Sequence, residues 1–111
     1  MIHIIRSRAT KQQVEEMLKE LEDSIKLVVD IRRGILAGGG ELHSDCEEKL
    51  LDDGSRQEDI WGAGWEPDIK QITYDSIINI RPGQNNFSRM ITDPGIRNQV
   101  QEIIRRLLEG V

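Results

Sequence analysis

Apolar residues open the chain in a short, Ile-rich run at residues 1–5, which predicts a first β-strand. Thr10 then stands three residues before Gln13, the spacing of a capping box that satisfies two orphan backbone donors. Val14, Met17, Leu18 and Leu21 follow at helical period, with Glu15, Glu16, Lys19 and Glu20 on the opposite face. A helix over residues 10–22 is predicted. Residues 25–31 (IKLVVDI) are β-branched and nearly continuous in apolarity, the pattern of a buried strand. Arg32, Arg33 and Gly34 interrupt the run and residues 35–37 resume it, so a hairpin turning at Gly34 joins two strands.

Three glycines, Gly38 to Gly40, end that strand. Ser44 and Glu47 repeat the capping-box spacing, and Cys46, Leu50 and Leu51 give a second helix a short apolar face over residues 44–52, with Gly54 to stop it. A strand over residues 58–65, a turn at Glu66, Pro67 and Asp68, and a longer strand over residues 69–80 read as a second hairpin. Residues 81–88 (RPGQNNFS) are polar with Pro and Gly, and form a loop. Asp93-Pro94 is an N-cap followed by Pro at the first helical position. Ile96, Val100, Ile103, Ile104, Leu107 and Leu108 stripe a last helix over residues 94–109, whose Arg105 and Arg106 suit the negative end of its dipole.

The order is β-α-β-β-α-β-β-α, with no repeat and no break in composition, so residues 1–111 make one α+β domain. The simplest packing lays the helices on one face of a mostly antiparallel sheet. The first β-α-β unit would add a parallel pair through a right-handed crossover, and a ferredoxin-like arrangement with an extra strand and helix is one candidate.

Composition narrows the classes of function. The chain has 111 residues and a formal charge of −5, which argues against a protein that coats nucleic acid or anionic lipid. Nucleic-acid binding would need Arg81, Arg89 and Arg97 on one basic face. A lone cysteine, Cys46, excludes an internal disulfide and a Cys-only metal cage. No apolar run is long enough to span a bilayer, and residues 1–8 are too short in apolar character for a secretory signal. These features predict a cytoplasmic protein. Several short strands leave sheet edges open, and a homodimer is expected to cover them.

The strings VVDIRRGILAGGGELHSDCE and GSRQEDIWGAGW, then INIRPGQNN followed by a Met, resemble those of a family of small bacterial proteins known only as a domain of unknown function. The resemblance runs from the first strand to the last helix. It implies a single domain, and it implies no activity, cofactor or catalytic residue.

Two polar segments carry the candidate chemistry. In the first, Gly38 to Gly40 could let a backbone approach a phosphate, but the stretch matches neither the P-loop nor the dinucleotide fingerprint, and Glu41, Asp45, Glu47 and Glu48 would repel an anion. A tight turn explains the glycines better. His43, Asp45 and Cys46 offer an imidazole, a carboxylate and a thiol that, with Glu58 or Asp59, could ligate a metal, yet no zinc-site spacing is present. No metal is assigned and the cofactor stays unknown. Cys46 reads as a small core residue, or less readily as a nucleophile with His43 as base.

The second segment joins Arg56, Glu58, Asp59 and Trp61 to Arg81, Gln84, Asn85 and Asn86, a donor-rich set that suits a carboxylate, a phosphate or a peptide backbone. Its structural reading pairs Arg81 with Glu58 or Asp59 and uses Asn85 and Asn86 to shape a turn. Trp61 and Trp65 share strand parity and make either a stacking platform or core. The resulting expectation is a small interaction or ligand-binding domain. Its alternative is a metal-assisted hydrolase using His43, Asp45, Glu58 and Arg81. Both readings are sharpest if His43 and Arg81 meet in one cleft.

Overall fold

The computed structural model describes residues 1–111. Thr10 caps the first helix as its spacing predicts: Gln13 N–H donates to Thr10 Oγ1 at 3.1 Å and Thr10 N–H to Gln13 Oε1 at 2.9 Å. That helix, α1, covers Lys11–Met17 and follows strand β1 (His3–Ile5). It stops at Met17, five residues short of the predicted end at residue 22. Leu18 still packs on the core, but the chain leaves the helix through turns that bring Glu22 to φ +66° and turn Leu21 toward a surface cleft. The periodicity is real, and a turn uses its last residue.

β2 (Ile25–Asp30) and β3 (Ile35–Gly38) form the expected hairpin, with Gly34 at φ +67°. Helix α2 covers His43–Asp52 and starts at Leu42 rather than Ser44. Its first turn is held by Asp45, whose Oδ2 accepts from Leu42 N–H at 3.2 Å, so the Ser44–Glu47 pair does not cap it. A single 3-10 turn (Gln57–Asp59) precedes β4 (Ile60–Glu66), which turns into β5 (Gln71–Thr73). Helix α3 spans Pro94–Leu108 and is capped by Asp93, whose Oδ1 accepts from Gly95 and Ile96 N–H.

The five strands make one antiparallel sheet in the order β1-β3-β2-β4-β5. β3 sits between β1 and β2, so no parallel pair forms. β4 lies beside β2 rather than beside β1, which removes the ferredoxin-like arrangement. The long strand over residues 69–80 also fails. β5 ends at Thr73, and residues 77–79 make a 3-10 turn, because Ser76 and Asn79 take their hydrogen bonds elsewhere than in a ladder.

The helices occupy both faces of the sheet, not one. Leu27, Val29, Leu36, Trp61, Ala63 and Trp65 project toward α1 and α3, in a cluster of 17 buried residues. The alternate positions Val28, Ile35, Ala37 and Ile60 project the other way, onto Cys46 and Leu50 of α2, in a cluster of 6. Period-2 alternation explains the split, and the near-continuous apolarity of β2 is what a doubly covered strand requires. Most of the burial lies on the α1–α3 face, which therefore supplies most of the hydrophobic stabilisation. No helix is long and apolar enough to cross a membrane.

Buried polar groups pin the hairpin to α2. Asp30, fully buried, accepts from the backbone N–H of Arg32 and Arg33 and, at 2.6 Å, from Ser55 Oγ. Arg33 donates to Ser55 and to Asp53, and Arg6 reaches Asp53 from the exit of β1 at 2.6 Å. The guanidinium groups of Arg6 and Arg33 hold the Asp53 carboxyl down at about 2, against an ordinary 3.8. A depressed carboxyl contributes stability that is complete above its unfolded pKa and is lost as pH falls through the folded one. The thermal midpoint is thus expected to drop as pH falls from 3.8 to about 2, the window of the Asp53 shift. Melting curves of Asp53→Asn should lack that part of the drop, and an unchanged acid slope would show that Asp53 is not linked to folding.

Candidate functional site

β5 pairs with β4 only along Gly64–Glu66, which leaves Ile60–Ala63 without a strand neighbour on that side. Side chains close the gap. The Asn79 amide imitates a peptide group, its Oδ1 accepting from Gly62 N–H at 2.8 Å and its Nδ2 donating to Gly62 O at 3.0 Å. Arg81 donates to the carbonyls of Gln57, Ile60 and Ile78, and its guanidinium lies 4.5 Å from the Trp61 ring centroid. Burial pushes its pKa down, although a guanidinium stays charged at any ordinary pH.

Gln84 and Asn86 finish this second polar segment. Gln84 Nε2 donates to Glu58 O at 3.0 Å. Asn86, 2 % exposed, donates from Nδ2 to the carbonyls of Asn79, Ser88 and Met90, while its Oδ1 accepts from Thr92 N–H and Oγ1–H. Asn85 takes the left-handed conformation at φ +59°. Arg81, Gln84, Asn85, Asn86 and the Glu58 backbone do come together, and the side chains of Arg81, Gln84 and Asn86 are spent on the fold, while that of Asn85 is exposed. Asp59 is engaged at 2.9 Å by Arg32, and Arg81 meets backbone carbonyls rather than the carboxylate of Glu58 or Asp59 expected of it.

The first segment lies elsewhere. An open cleft of about 580 Å³ sits on the α2 face, between the start of α2, the C-terminal half of β4, Thr73 of β5 and residues 75–78. His43 lines it and Arg81 does not. Asp45, Glu58, Asp59, Gln84, Asn85 and Asn86 are likewise outside the lining. Its floor is β4, where Gly64 replaces a side chain, and Gly62 just behind it packs against Ser76. A Cβ on Gly62 would stand 2.5 Å from the Ser76 Cβ, and one on Gly64 would collide with Thr73 Oγ1. The walls carry Lys26, Asp75 and Arg89, the last two paired at 2.9 Å and each about half exposed. Leu42 and Ile77 flank the opening at 54 % and 68 % exposed.

His43 is the one titratable ring in the cleft. Its Nε2 lies 2.8 Å from Ala63 O, so that nitrogen carries the proton and donates. Burial lowers its pKa below the ordinary 6.5; the Ala63 carbonyl raises it in part, and Lys26 lowers it further. At neutral pH the ring is uncharged, with Nδ1 left as an acceptor that has no partner within the chain.

Other sequence candidates resolve into structure. Gly39 holds φ +100°, and a Cβ there would run into Met1 O and the backbone of Met17, so packing fills the glycine stretch where a phosphate would need room. Cys46 is fully buried and its thiol is pushed up to about 11 by burial, far from the reactive range. No three His, Cys, Asp or Glu side chains converge as metal ligands. Trp61 and Trp65 do share a face, but at 1 % exposed they are core and offer no platform. Each of the three arginines is engaged within the chain: Arg81 caps the edge of β4, Arg89 pairs with Asp75, and Arg97 lies over Tyr74.

Sequence reasoning missed Lys26, Thr73, Asp75, Ile77 and Asn79, and weighed Arg89 only as part of a basic face. The signal that could have found several of them is the polar interruption of an Ile-rich run: Asp75, Ser76 and Asn79 break residues 72–80 where a strand would alternate cleanly.

Residues 3–107 of this 111-residue chain match the family described as "Protein of unknown function (DUF5674)", and the chain belongs to that family. No curated protein and no solved structure matches it.

Proposed function

We propose that this chain is a small-ligand-binding domain whose site is the His43 cleft. What carries the reading is one arrangement: two exposed aliphatic side chains, Leu42 and Ile77, flank a concave cleft that contains a neutral imidazole. Apolar lips with a few convergent polar groups are the usual make-up of a ligand pocket. The ligand class follows from the tautomer. Since Nε2–H is used on Ala63, Nδ1 asks for a donor, so the ligand pairs an aliphatic body with a hydroxyl or amine. The reading includes self-association, since β1 and β5 are the two outer strands of the sheet. It also includes a cytoplasmic location, which suits a protein whose single cysteine is an unpaired thiol.

Titration of the labelled protein with 1-hexanol, hexylamine and hexanoate, followed by amide chemical shifts, tests the site. Hexanol and hexylamine should move Gly64, Thr73, Ser76 and Ile77, and hexanoate should do so more weakly. Ile77→Asp should weaken binding about tenfold, the loss of roughly 1.5 kcal/mol of apolar burial. Protonating His43 turns its acceptor into a donor, so hexylamine, whose ammonium cannot accept, should bind at neutral pH and fade below the ordinary 6.5, while hexanol, whose oxygen also accepts, should change less. Shifts scattered away from the cleft, or none at millimolar probe, would remove the proposal.

A further inference from the structure

The two ends of the sheet carry opposite charge. At one end lie the β2–β3 turn and the exit of β1. Five guanidinium groups gather there, and contacts tie them together. Arg32 and Arg33 form the turn, Arg106 donates to Gly34 O at 3.1 Å, Arg8 donates to Arg106 O, and Arg6 shares Asp53 with Arg33. Three carboxylates, Asp30, Asp53 and Asp59, stand against these five cations, and Asp30 is buried. Arg56 and Glu58, one of each sign, flank the group. Arg8 and Arg106 bind only carbonyl oxygens and neither is in an ion pair, while Glu109 beside them pairs with Arg105.

At the other end β2 begins and β4 finishes, with Ile25 opposite Trp65. Glu20, Glu22 and Asp23 precede β2 there, Glu66 ends β4 and Asp68 follows it, and none of the five has an ion-pair partner. Lys19, Lys26 and Lys70 are the cations beside them, and Lys26 Nζ donates to Glu41 O at 3.0 Å. β2 has six residues, which separates the two ends by about 20 Å.

We infer that a second copy of this chain docks its acidic end onto the arginine-rich end, head to tail. This rests on the self-association part of the reading above and is independent of the cleft. Planar guanidinium groups fit carboxylates in bidentate pairs, and the chain itself displays both partners. A nucleic acid fits less well, because the formal charge of −5 repels a polyanion and no aromatic residue stands among the five arginines for bases to stack on. The contact is heterologous, since different surfaces meet, so the expected homodimer is the shortest member of a growing series. Exposed pairs contribute little singly and are screened by salt, so the association is weak and salt-sensitive.

Sedimentation equilibrium of the full chain tests this. At about 20 mM salt the mean mass should rise with concentration beyond twice 12.7 kDa, and at about 1 M, where the Debye length is about 3 Å, it should return to 12.7 kDa. Glu20→Lys/Asp23→Lys/Asp68→Lys reverses side chains that make no hydrogen bond, so the fold is kept; that variant should stay monomeric. Arg8→Glu/Arg32→Glu should do the same, and an equimolar mixture of the two variants should associate again. Native self-association that neither reversal disturbs would overturn the charged contact while leaving self-association standing. A monomer at every concentration and low salt would remove both, whatever the cleft binds.

Discussion

Asn86→Ala is expected to destabilise the domain by about 4 kcal/mol, a large share of the roughly 5–15 kcal/mol typical of a domain this size. The side chain is 2 % exposed and makes five hydrogen bonds, to Asn79 O, Ser88 O, Met90 O and twice to Thr92. Truncation leaves those groups unpaired at a cost of about 1–3 kcal/mol each where water cannot enter. Asn86→Asp separates bonding from shape: it keeps the volume but turns the amide donor into an acceptor facing three carbonyls. Both substitutions should lower the urea midpoint at neutral pH, and an Ala variant within about 0.5 kcal/mol of the native chain would show the bonds to be replaceable by water.

The second large effect is expected at Trp61. Trp61→Ala should cost about 3–5 kcal/mol, as large-to-small changes at aromatic core positions do. The ring is 1 % exposed in the principal cluster, and it also supports the Arg81 guanidinium that closes the edge of β4. Trp61→Phe should cost much less, since the buried indole N–H has no acceptor to lose. Calorimetry of the two variants decides the matter: equal losses would mean that the indole, not aromatic bulk, is what the core requires. Trp65→Ala provides a comparison without the cation above the ring.

Local signals were legible because local chemistry enforces them. Thr10 with Gln13 and Asp93 with Pro94 announce helix starts that the backbone cannot satisfy in another way. Gly34 announces the hairpin for the same reason. Strand order was not legible, since nothing near β1 states that β3 will separate it from β2. One cue to the layering was present in residues 25–31: a strand apolar at consecutive positions needs cover on both faces, which places α2 opposite α1 and α3. Of the candidate site, His43 was readable as a residue but not as a neutral donor to Ala63, because its partner is 20 positions away. The Arg81 to Asn86 group looked like a binding loop, for donor-rich side chains serve ligands and unpaired strand edges by the same chemistry. The partners that Arg81, Gln84 and Asn86 find within the chain tell them apart.

The amide mimicry of Asn79 also sets a clock. Gly62 sits at the middle of a central strand, where amide protons are ordinarily among the slowest to exchange with deuterium, because only cooperative unfolding exposes them. Its N–H is instead held by a side chain from residue 79, so a local opening of residues 75–90 suffices to free it. Gly62 should then exchange with the protection of that segment and not with that of neighbours such as Val29, which places a probe of peripheral motion inside the core sheet.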